Sequence, residues 1–347
     1  MESSAIGKAV AVKRRRWPEE TGIAIILLMV ALAMSAFSEN FRTIQNLQIL
    51  LLNGAVIAFL AMGQSFVLLT GGIDLSTGSN VAMTGVLATV LIRMGMPWEV
   101  AALLAVAAGT ALGVFNGLFI HFIRLPAFIV TFCTFGIAAS IPMIITGANS
   151  VSVKDPGFAV IGRGSALGIP MPVFLVLVAA VILTVILRYT PFGVQIYATG
   201  GNVEASRLAG VNIARTIVSV YAISGLCAAI GGLIVASRLM VGYPSAGSGN
   251  ELFYSIASAV VGGVSLFGGI GSIPGALLGA ILIATVSNGM NVLGVQSYWQ
   301  PLVIGMIILA GVTFDTYRRR VSFGELIRRF GRGAPQPAPS LSAGGQD

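Results

Sequence analysis

Charged side chains are scarce in this sequence. Only 9% of its 347 residues are Asp, Glu, Lys or Arg, whereas 56% are hydrophobic. A soluble domain carries about 25% charged residues, so the composition excludes that class and indicates a membrane protein with several spans. The net charge of +8 does not indicate nucleic-acid binding, because the basic residues concentrate in KRRR at 13–16 and in the arginines of 318–332. Such clusters are typical of segments on the cytoplasmic side of a membrane.

Reactive side chains are equally rare. The two cysteines, Cys133 and Cys227, lie inside apolar runs, and His121 is the single histidine. These residues have no metal-ligand spacing and give no basis for a disulfide. The sequence has no GxxxxGK[ST] phosphate loop and no nucleophile beside a base, so we expect no catalytic site, no metal site and no ATP hydrolysis by this chain.

Long apolar runs fill most of the remaining sequence. At about 20 residues per crossing, they predict an all-α polytopic membrane protein with about ten transmembrane helices. The ten runs are Gly22–Ser38, Leu47–Thr70, Val81–Ile92, Val100–Phe119, Pro126–Thr146, Met171–Leu187, Thr216–Ala236, Phe253–Leu266, Gly275–Leu293 and Tyr298–Thr313.

The positions of the basic residues predict the orientation. An even number of crossings places both ends of the chain on one side, and the basic clusters put that side in the cytoplasm. The chain then divides into a basic N-terminal tail (1–20), a transmembrane domain (21–317) and a basic, then Pro/Gly-rich, C-terminal tail (318–347). The segment 189–215 lies inside and the segment 147–170 outside.

Glycine interrupts two of these runs. The third and eighth runs are short, and GGIDL at 71–75 is echoed by GGVSL at 262–266. Paired, glycine-broken segments in two halves of a chain are a feature of transport pathways. We therefore expect broken or re-entrant helices at these two places. Gly109, Gly113 and Gly117 are spaced by four, which predicts a close helix–helix approach in the fourth run.

The polar segment 189–215 stands out between two strongly apolar runs. Its second half predicts a short helix in which Asn202 is the N-cap, Glu204 lies in the first turn and Gly210 ends the helix. Such a helix could present itself to a partner or could simply connect two spans. The residues that would form a contact surface are Asn202, Glu204, Ala205, Arg207, Leu208, Gly210 and Val211.

Polar side chains within the apolar runs are mostly neutral. They suit a path for an uncharged solute, although asparagine in membranes more often links helices by hydrogen bonds. Asn288 and Asn291 share one helix face. The candidates for a translocation path are Asn53, Asp74, Ser76, Asn116, Asn288 and Asn291.

Asp74 has two interpretations. It follows two glycines and precedes Ser76, so it could cap the next helix or hold the positive end of its dipole. It could instead accept hydrogen bonds from the hydroxyls of a passing solute. We favour the structural role, because aspartate suits the start of a helix.

Three motifs carry a family resemblance: GGIDLSTGSNVAMTG, ATGGNVEASRLAGVNI and VVGGVSLFGGIGSIPGALLGA. Together, and in this order, they closely resemble the permease subunits of bacterial ABC importers for ribose, xylose and related monosaccharides. The resemblance covers about residues 20 to 320. It implies a permease of the inner membrane that works by alternating access.

The resemblance also implies the partners. Two permease copies, expected as a homodimer in membrane lipid, would bind two ATPase subunits and receive sugar from a periplasmic sugar-binding protein. The permease itself would need no cofactor, since ATP is bound by the ATPase subunit. Glu204, Ala205 and Gly210 would belong to the "EAA" coupling segment, which reads Glu-Ala-Ser here. The alternatives are an ATP-independent channel or facilitator for a small neutral solute, and a membrane scaffold.

Overall fold

A computed structural model describes residues 20–247 and 250–331. The described chain is dominated by α-helices. Their bounds are α1 Thr21–Phe37, α2 Ile44–Leu69, α3 Thr77–Arg93, α4 Trp98–Phe122, α5 Ala127–Thr146, α6 Pro156–Arg163, α7 Met171–Tyr189, α8 Pro191–Gly201, α9 Val203–Leu208, α10 Ile213–Leu239, α11 Glu251–Val261, α12 Ile273–Val292 and α13 Gln300–Gly331. Short 3₁₀ helices cover Asn40–Arg42 and Ser297–Trp299.

Strands are confined to two-residue pairs. β1 (Val151–Ser152) pairs antiparallel with β4 (Val241–Gly242), and β2 (Ser165–Ala166) pairs antiparallel with β3 (Ile169–Pro170). The segment 147–170, predicted to lie outside the membrane, thus contains β1, α6 and a small hairpin. Asp155 caps α6 by accepting hydrogen bonds from the N–H groups of Gly157 and Phe158.

Six helices are long and apolar enough to cross a membrane: α2, α4, α5, α7, α10 and α12. Three shorter apolar helices lie at Thr21–Phe37, Glu251–Val261 and Ser297–Thr313. The described chain is therefore an all-α membrane protein with several spans. In α2, 72% of the most apolar window is buried, against 28% in α4, α5 and α7. The corresponding values are 61% in α10 and 67% in α12, so α2, α10 and α12 are inner helices, whereas α4, α5 and α7 have exposed apolar faces that suit lipid.

The predicted close approach of the fourth run is confirmed. Gly109, Gly113 and Gly117 of α4 are buried and face α10. A Cβ atom added at Gly113 would lie 2.2 Å from the Tyr221 carbonyl oxygen, and one at Gly117 would lie 2.6 Å from the Val218 Cα. Glycine is required here because the two backbones are nearly in contact.

Both short runs are helices with shifted bounds. α3 begins at Thr77 rather than Val81, because the polar residues Thr77 to Asn80 are buried within the protein and form its first turn. α11 ends at Val261, and the described chain at 241–247 contacts α3, where Gly242 lies against Thr89 and Gly247 against Gly78. The eighth run is therefore a short helix that ends at Val261, before the predicted bound at Leu266.

The predicted tails lie largely outside the described residues. α1 begins at Thr21, next to the predicted boundary of the N-terminal tail. The first part of the predicted C-terminal tail, as far as Gly331, continues α13.

Candidate functional site

The segment between α7 and α10 folds into two consecutive helices. We predicted a helix only in its second half, but α8 also occupies the first half. Thr190 accepts a hydrogen bond from the Gly193 N–H at 3.4 Å, and Pro191 follows as the first helical residue. Proline is favoured at that position because its missing N–H would have no helical partner there.

The second helix, α9, has the predicted caps. The Asn202 side chain accepts from the Ala205 N–H at 2.9 Å, and Gly210 has φ +83° just after the helix. The Val211 N–H then donates to the Ser206 carbonyl at 3.0 Å. These contacts confirm the predictions for Asn202 and Gly210. Both features could be predicted because they depend on interactions within a few residues.

Most side chains of α9 point away from the protein. Leu208 is 87% exposed, whereas Ser206 is buried and its hydroxyl donates a hydrogen bond to the Asn202 carbonyl. Glu204 and Arg207 form an ion pair with both side chains more than half exposed, so the pair contributes little to stability. α9 therefore presents the apolar side chain of Leu208 at the surface, beside an ion pair that has no net charge. Ala205 is also exposed, and Val211 is half-buried.

A polar cluster surrounds Asp74, in the segment between α2 and α3. One carboxyl oxygen accepts from the Ser76 N–H at 2.9 Å and from the Ser76 hydroxyl at 2.6 Å. The other accepts from the Ser224 hydroxyl of α10 at 2.7 Å. The Asn116 amide of α4 donates to the Ser76 hydroxyl oxygen at 3.0 Å. We call Asp74, Ser76, Asn116 and Ser224 the Asp74 cluster.

This geometry corrects the predicted capping role of Asp74. Ser76 is the N-cap residue of α3, and its side chain makes no capping hydrogen bond. Asp74 binds the N–H of that residue, not those of the first turn. Its carboxyl group instead links the start of α3 to α10, a contact across 150 residues of sequence.

The backbone of this segment is held from both sides. The Gln64 side-chain amide, oriented with its nitrogen toward the Asp74 carbonyl, makes paired hydrogen bonds of 3.1 and 3.2 Å with the Asp74 backbone. The Tyr221 hydroxyl donates to the Ile73 carbonyl at 3.3 Å. Asn80, one helical turn further, donates to the carbonyls of Gly109 and Gly225, both at 3.1 Å. Helices α2 and α10 thus hold the segment, and α4 and α10 hold the first turn of α3 that follows it.

The cluster keeps spare hydrogen-bonding capacity. The Asn116 Oδ1, Thr77 Oγ1 and Asn80 Oδ1 atoms are buried and have no protein partner among the described residues. Such atoms are costly unless water or a solute satisfies them.

The other path candidates lie elsewhere. Asn288 is buried and donates to the Asn46 side chain of α2 at 3.0 Å, and Asn291 accepts from Gln300 at 2.7 Å. Asn46 and Gln64 are separated by about 27 Å along α2, at about 1.5 Å per residue. The predicted candidates therefore form two separate groups, and Asn53 is half-buried on α2 between them. In the described ranges, no three His, Cys, Asp or Glu side chains cluster as metal ligands.

Comparison with known proteins identifies the family. Residues 46–312 match the family described as branched-chain amino acid transport system / permease component. This match covers more than half of the chain, including the Asp74 cluster, α8 and α9. The chain belongs to this permease family.

Several permeases are similar to this chain over almost their whole length. The ribose import permease protein RbsC of Escherichia coli K12 is 37% identical over 309 residues, which is 88% of this chain and 96% of that protein. RbsC of Bacillus subtilis 168 is 38% identical over 296 residues, 85% and 90% of the two chains. The D-allose transport system permease protein AlsC of E. coli K12 is 36% identical over 300 residues, 86% and 92%. No solved structure matches the chain.

Proposed function

We propose that this chain is the membrane-spanning permease subunit of an ATP-driven importer for a monosaccharide of the ribose type. The observation that carries the proposal is its similarity to ribose import permeases along nearly the full length of both chains. The chain itself performs no chemistry. It alternates access to the two sides of the membrane, and a separate ATPase subunit supplies the energy.

The family description and the names of the relatives indicate different substrates: the description names branched-chain amino acids, whereas the relatives are named for ribose and allose. The interior favours the sugar. An amino acid has a charged amine and a charged carboxylate, which need charged groups or helix ends as partners. Among the described residues, no basic side chain is fully buried, so a carboxylate would find no buried cation. The buried acid Asp74 already accepts three hydrogen bonds, and the partly exposed Glu251 has one buried carboxylate oxygen, Oε2.

The ATPase subunit binds at α8 and α9 in this proposal. The exposed side chain of Leu208 lies beside an ion pair without net charge, so it could enter an apolar pocket on a partner protein. The complex also contains a second permease copy and receives sugar from a periplasmic binding protein. Asn116 is the predicted path residue with an unsatisfied buried atom, its Oδ1, and the Oγ1 of Thr77 and the Oδ1 of Asn80 nearby are also unsatisfied; a sugar hydroxyl or water could bond to them.

The proposed topology has ten crossings in the inner membrane, with both ends of the chain in the cytoplasm. The six long apolar helices account for six of them. The others are α1, α3, α11 and the first part of α13. Under this topology α8 and α9 face the cytoplasm, where an ATPase could reach them, and α6 faces the periplasm.

Reporter fusions test this topology. An enzyme reporter active only in the cytoplasm, fused at Lys13 or after Arg320, is expected to be active, and one inserted at Lys154 to be inactive. A periplasmic reporter at the same positions is expected to give the opposite pattern. An extracytoplasmic signal from either end of the chain contradicts the ten-crossing arrangement.

Reconstitution tests the function. Vesicles that contain the permease and its ATPase, with the binding protein outside, are expected to accumulate labelled ribose only when ATP is enclosed. Leucine serves as the control substrate and is expected to stay outside. Equal ribose entry with and without ATP would favour the alternative, an ATP-independent facilitator.

A further inference from the structure

Three separate stretches of backbone meet at Gly200, in the last turn of α8. The Gly269 N–H donates to the Leu69 carbonyl at 2.9 Å. A Cβ atom at Gly200 would lie 1.8 Å from that same carbonyl oxygen and 2.6 Å from the Gly269 nitrogen. A Cβ atom at Gly268 would lie 2.7 Å from the Gly200 carbonyl oxygen and 3.0 Å from the Gly71 nitrogen. We call the contact between Gly200, 69–71 and 268–269 the glycine joint.

The atoms in contact at the glycine joint are backbone atoms, so no side chain lies between them to absorb a movement. Where backbones are in direct contact, a displacement of one must displace the others or open the contact, because packed interiors are not compressible. A shift of α8 would therefore act directly on both neighbouring segments.

The first of these segments leads to the Asp74 cluster. Gly72 is packed so tightly that a Cβ atom there would lie 2.5 Å from the Tyr221 hydroxyl oxygen. Ile73 accepts a hydrogen bond from the same hydroxyl, and Asp74 follows. The segment 70–76 is thus fixed by the glycine joint at one end and by the Asp74 cluster at the other.

The second segment leads to α12. The Tyr197 hydroxyl of α8 donates to the Gly271 carbonyl at 2.7 Å. The next residue, Ser272, is the N-cap of α12 and accepts from the Gly275 N–H at 3.1 Å. The last two turns of α8 therefore contact the segments that precede both α3 and α12.

We propose that the glycine joint transmits the movement of α8 and α9 to the starts of α3 and α12, with Gly200 as its positioning residue. This proposal rests on the proposed function, because it assumes that an ATPase moves α8 and α9. It adds the physical connection between the docking surface and the Asp74 cluster. The sequence echo of GGIDL and GGVSL then has a structural meaning, since both copies lie beside this joint.

The test compares two adjacent glycines in the reconstituted complex. Gly200→Ala places a methyl group against the Leu69 carbonyl, whereas a Cβ at the matched control, Gly201→Ala, meets no atom within 4 Å. The readout is the number of ATP molecules hydrolysed per ribose transported. We expect Gly200→Ala to raise this ratio about tenfold while the ATPase still co-purifies with the permease, and Gly201→Ala to leave it at the parental value.

A second variant covers the case in which Gly200→Ala does not fold. Tyr197→Phe removes the hydrogen bond to the Gly271 carbonyl and adds no atoms, and we expect it to raise the ratio about fivefold. A merely structural role lowers hydrolysis and transport together and leaves the ratio unchanged. An unchanged ratio in the folded variants overturns the proposal, as does loss of ATPase binding in Gly200→Ala, which would make the joint a support for docking alone. A parental complex without ATP-dependent uptake overturns the proposed function itself, before any variant is compared.

Discussion

Replacement of Leu208 by aspartate is expected to separate the ATPase subunit from the permease. Leu208 is 87% exposed at the end of α9, so the substitution removes almost no contact within this chain. In the complex it would place a charge in a pocket that otherwise receives an apolar side chain. Loss of a central anchor of this kind costs about 2 kcal/mol or more, equivalent to about thirtyfold in affinity. The measurement is the affinity of the purified ATPase for the permease in detergent, together with ribose uptake.

Leu167 provides the matched control. It is a leucine of similar exposure, 90%, in the turn between β2 and β3, which faces the periplasm in the proposed topology. Leu167→Asp is expected to leave ATPase binding at the parental value. Equal effects of the two substitutions would indicate a general effect of the added charge on the protein. Parental ATPase binding by Leu208→Asp would show that α9 is not part of the docking surface.

The features that sequence predicted well are local. The caps of α9 depend on Asn202 and Gly210, each within three residues of the groups it serves. The spacing of Gly109, Gly113 and Gly117 predicted a close helix contact because four residues return to the same helix face. The sequence did not reveal that α10 would be the partner, since that depends on how the helices assemble. The start of α8 was missed although Thr190 and Pro191 carry a helix-start signal.

The contacts of Asp74 could not be predicted from local pattern. Its hydrogen bond to Ser224 spans 150 residues, and the bond from Asn116 to Ser76 spans 40. Ser224 lies in an apolar run, where a serine is ordinary and gives no separate signal. Hydropathy also started α3 too late, because the side chains of Thr77 to Asn80 look exposed by composition but are buried against neighbouring helices.

The path candidates illustrate the same limit. Asn288 and Asn291 share a helix face, as their spacing requires, but their partners differ. Asn288 bonds to Asn46 and Asn291 to Gln300, and both partners lie on other segments. These bonds join α12 to α2 and to the start of α13, which is the helix-linking behaviour that we weighed against a path. Their place in a translocation path stays a prediction.

Two substitutions of Asp74 separate its structural role from a role in the path. Asp74→Ala removes the acceptor of three hydrogen bonds. The Ser76 N–H and the hydroxyls of Ser76 and Ser224, all buried, then lose that acceptor. We expect a loss of about 3 kcal/mol in the free energy of unfolding, with lower protein levels and proportionally lower uptake. Ser224→Ala removes only one of these bonds, and we expect about 1 kcal/mol.

Asp74→Asn keeps the structural contacts. Its amide oxygen can accept both hydrogen bonds from Ser76, and the Ser224 hydroxyl can rotate to accept from the amide nitrogen. The structural role therefore predicts near-parental melting temperature, protein level and ribose uptake for this variant. The measurement is uptake per assembled complex, beside ATP hydrolysis by the same preparation. If Asp74→Asn assembles and hydrolyses ATP normally but transports no ribose, the acid acts on the solute and its links to Ser76 and Ser224 serve to position it in the path.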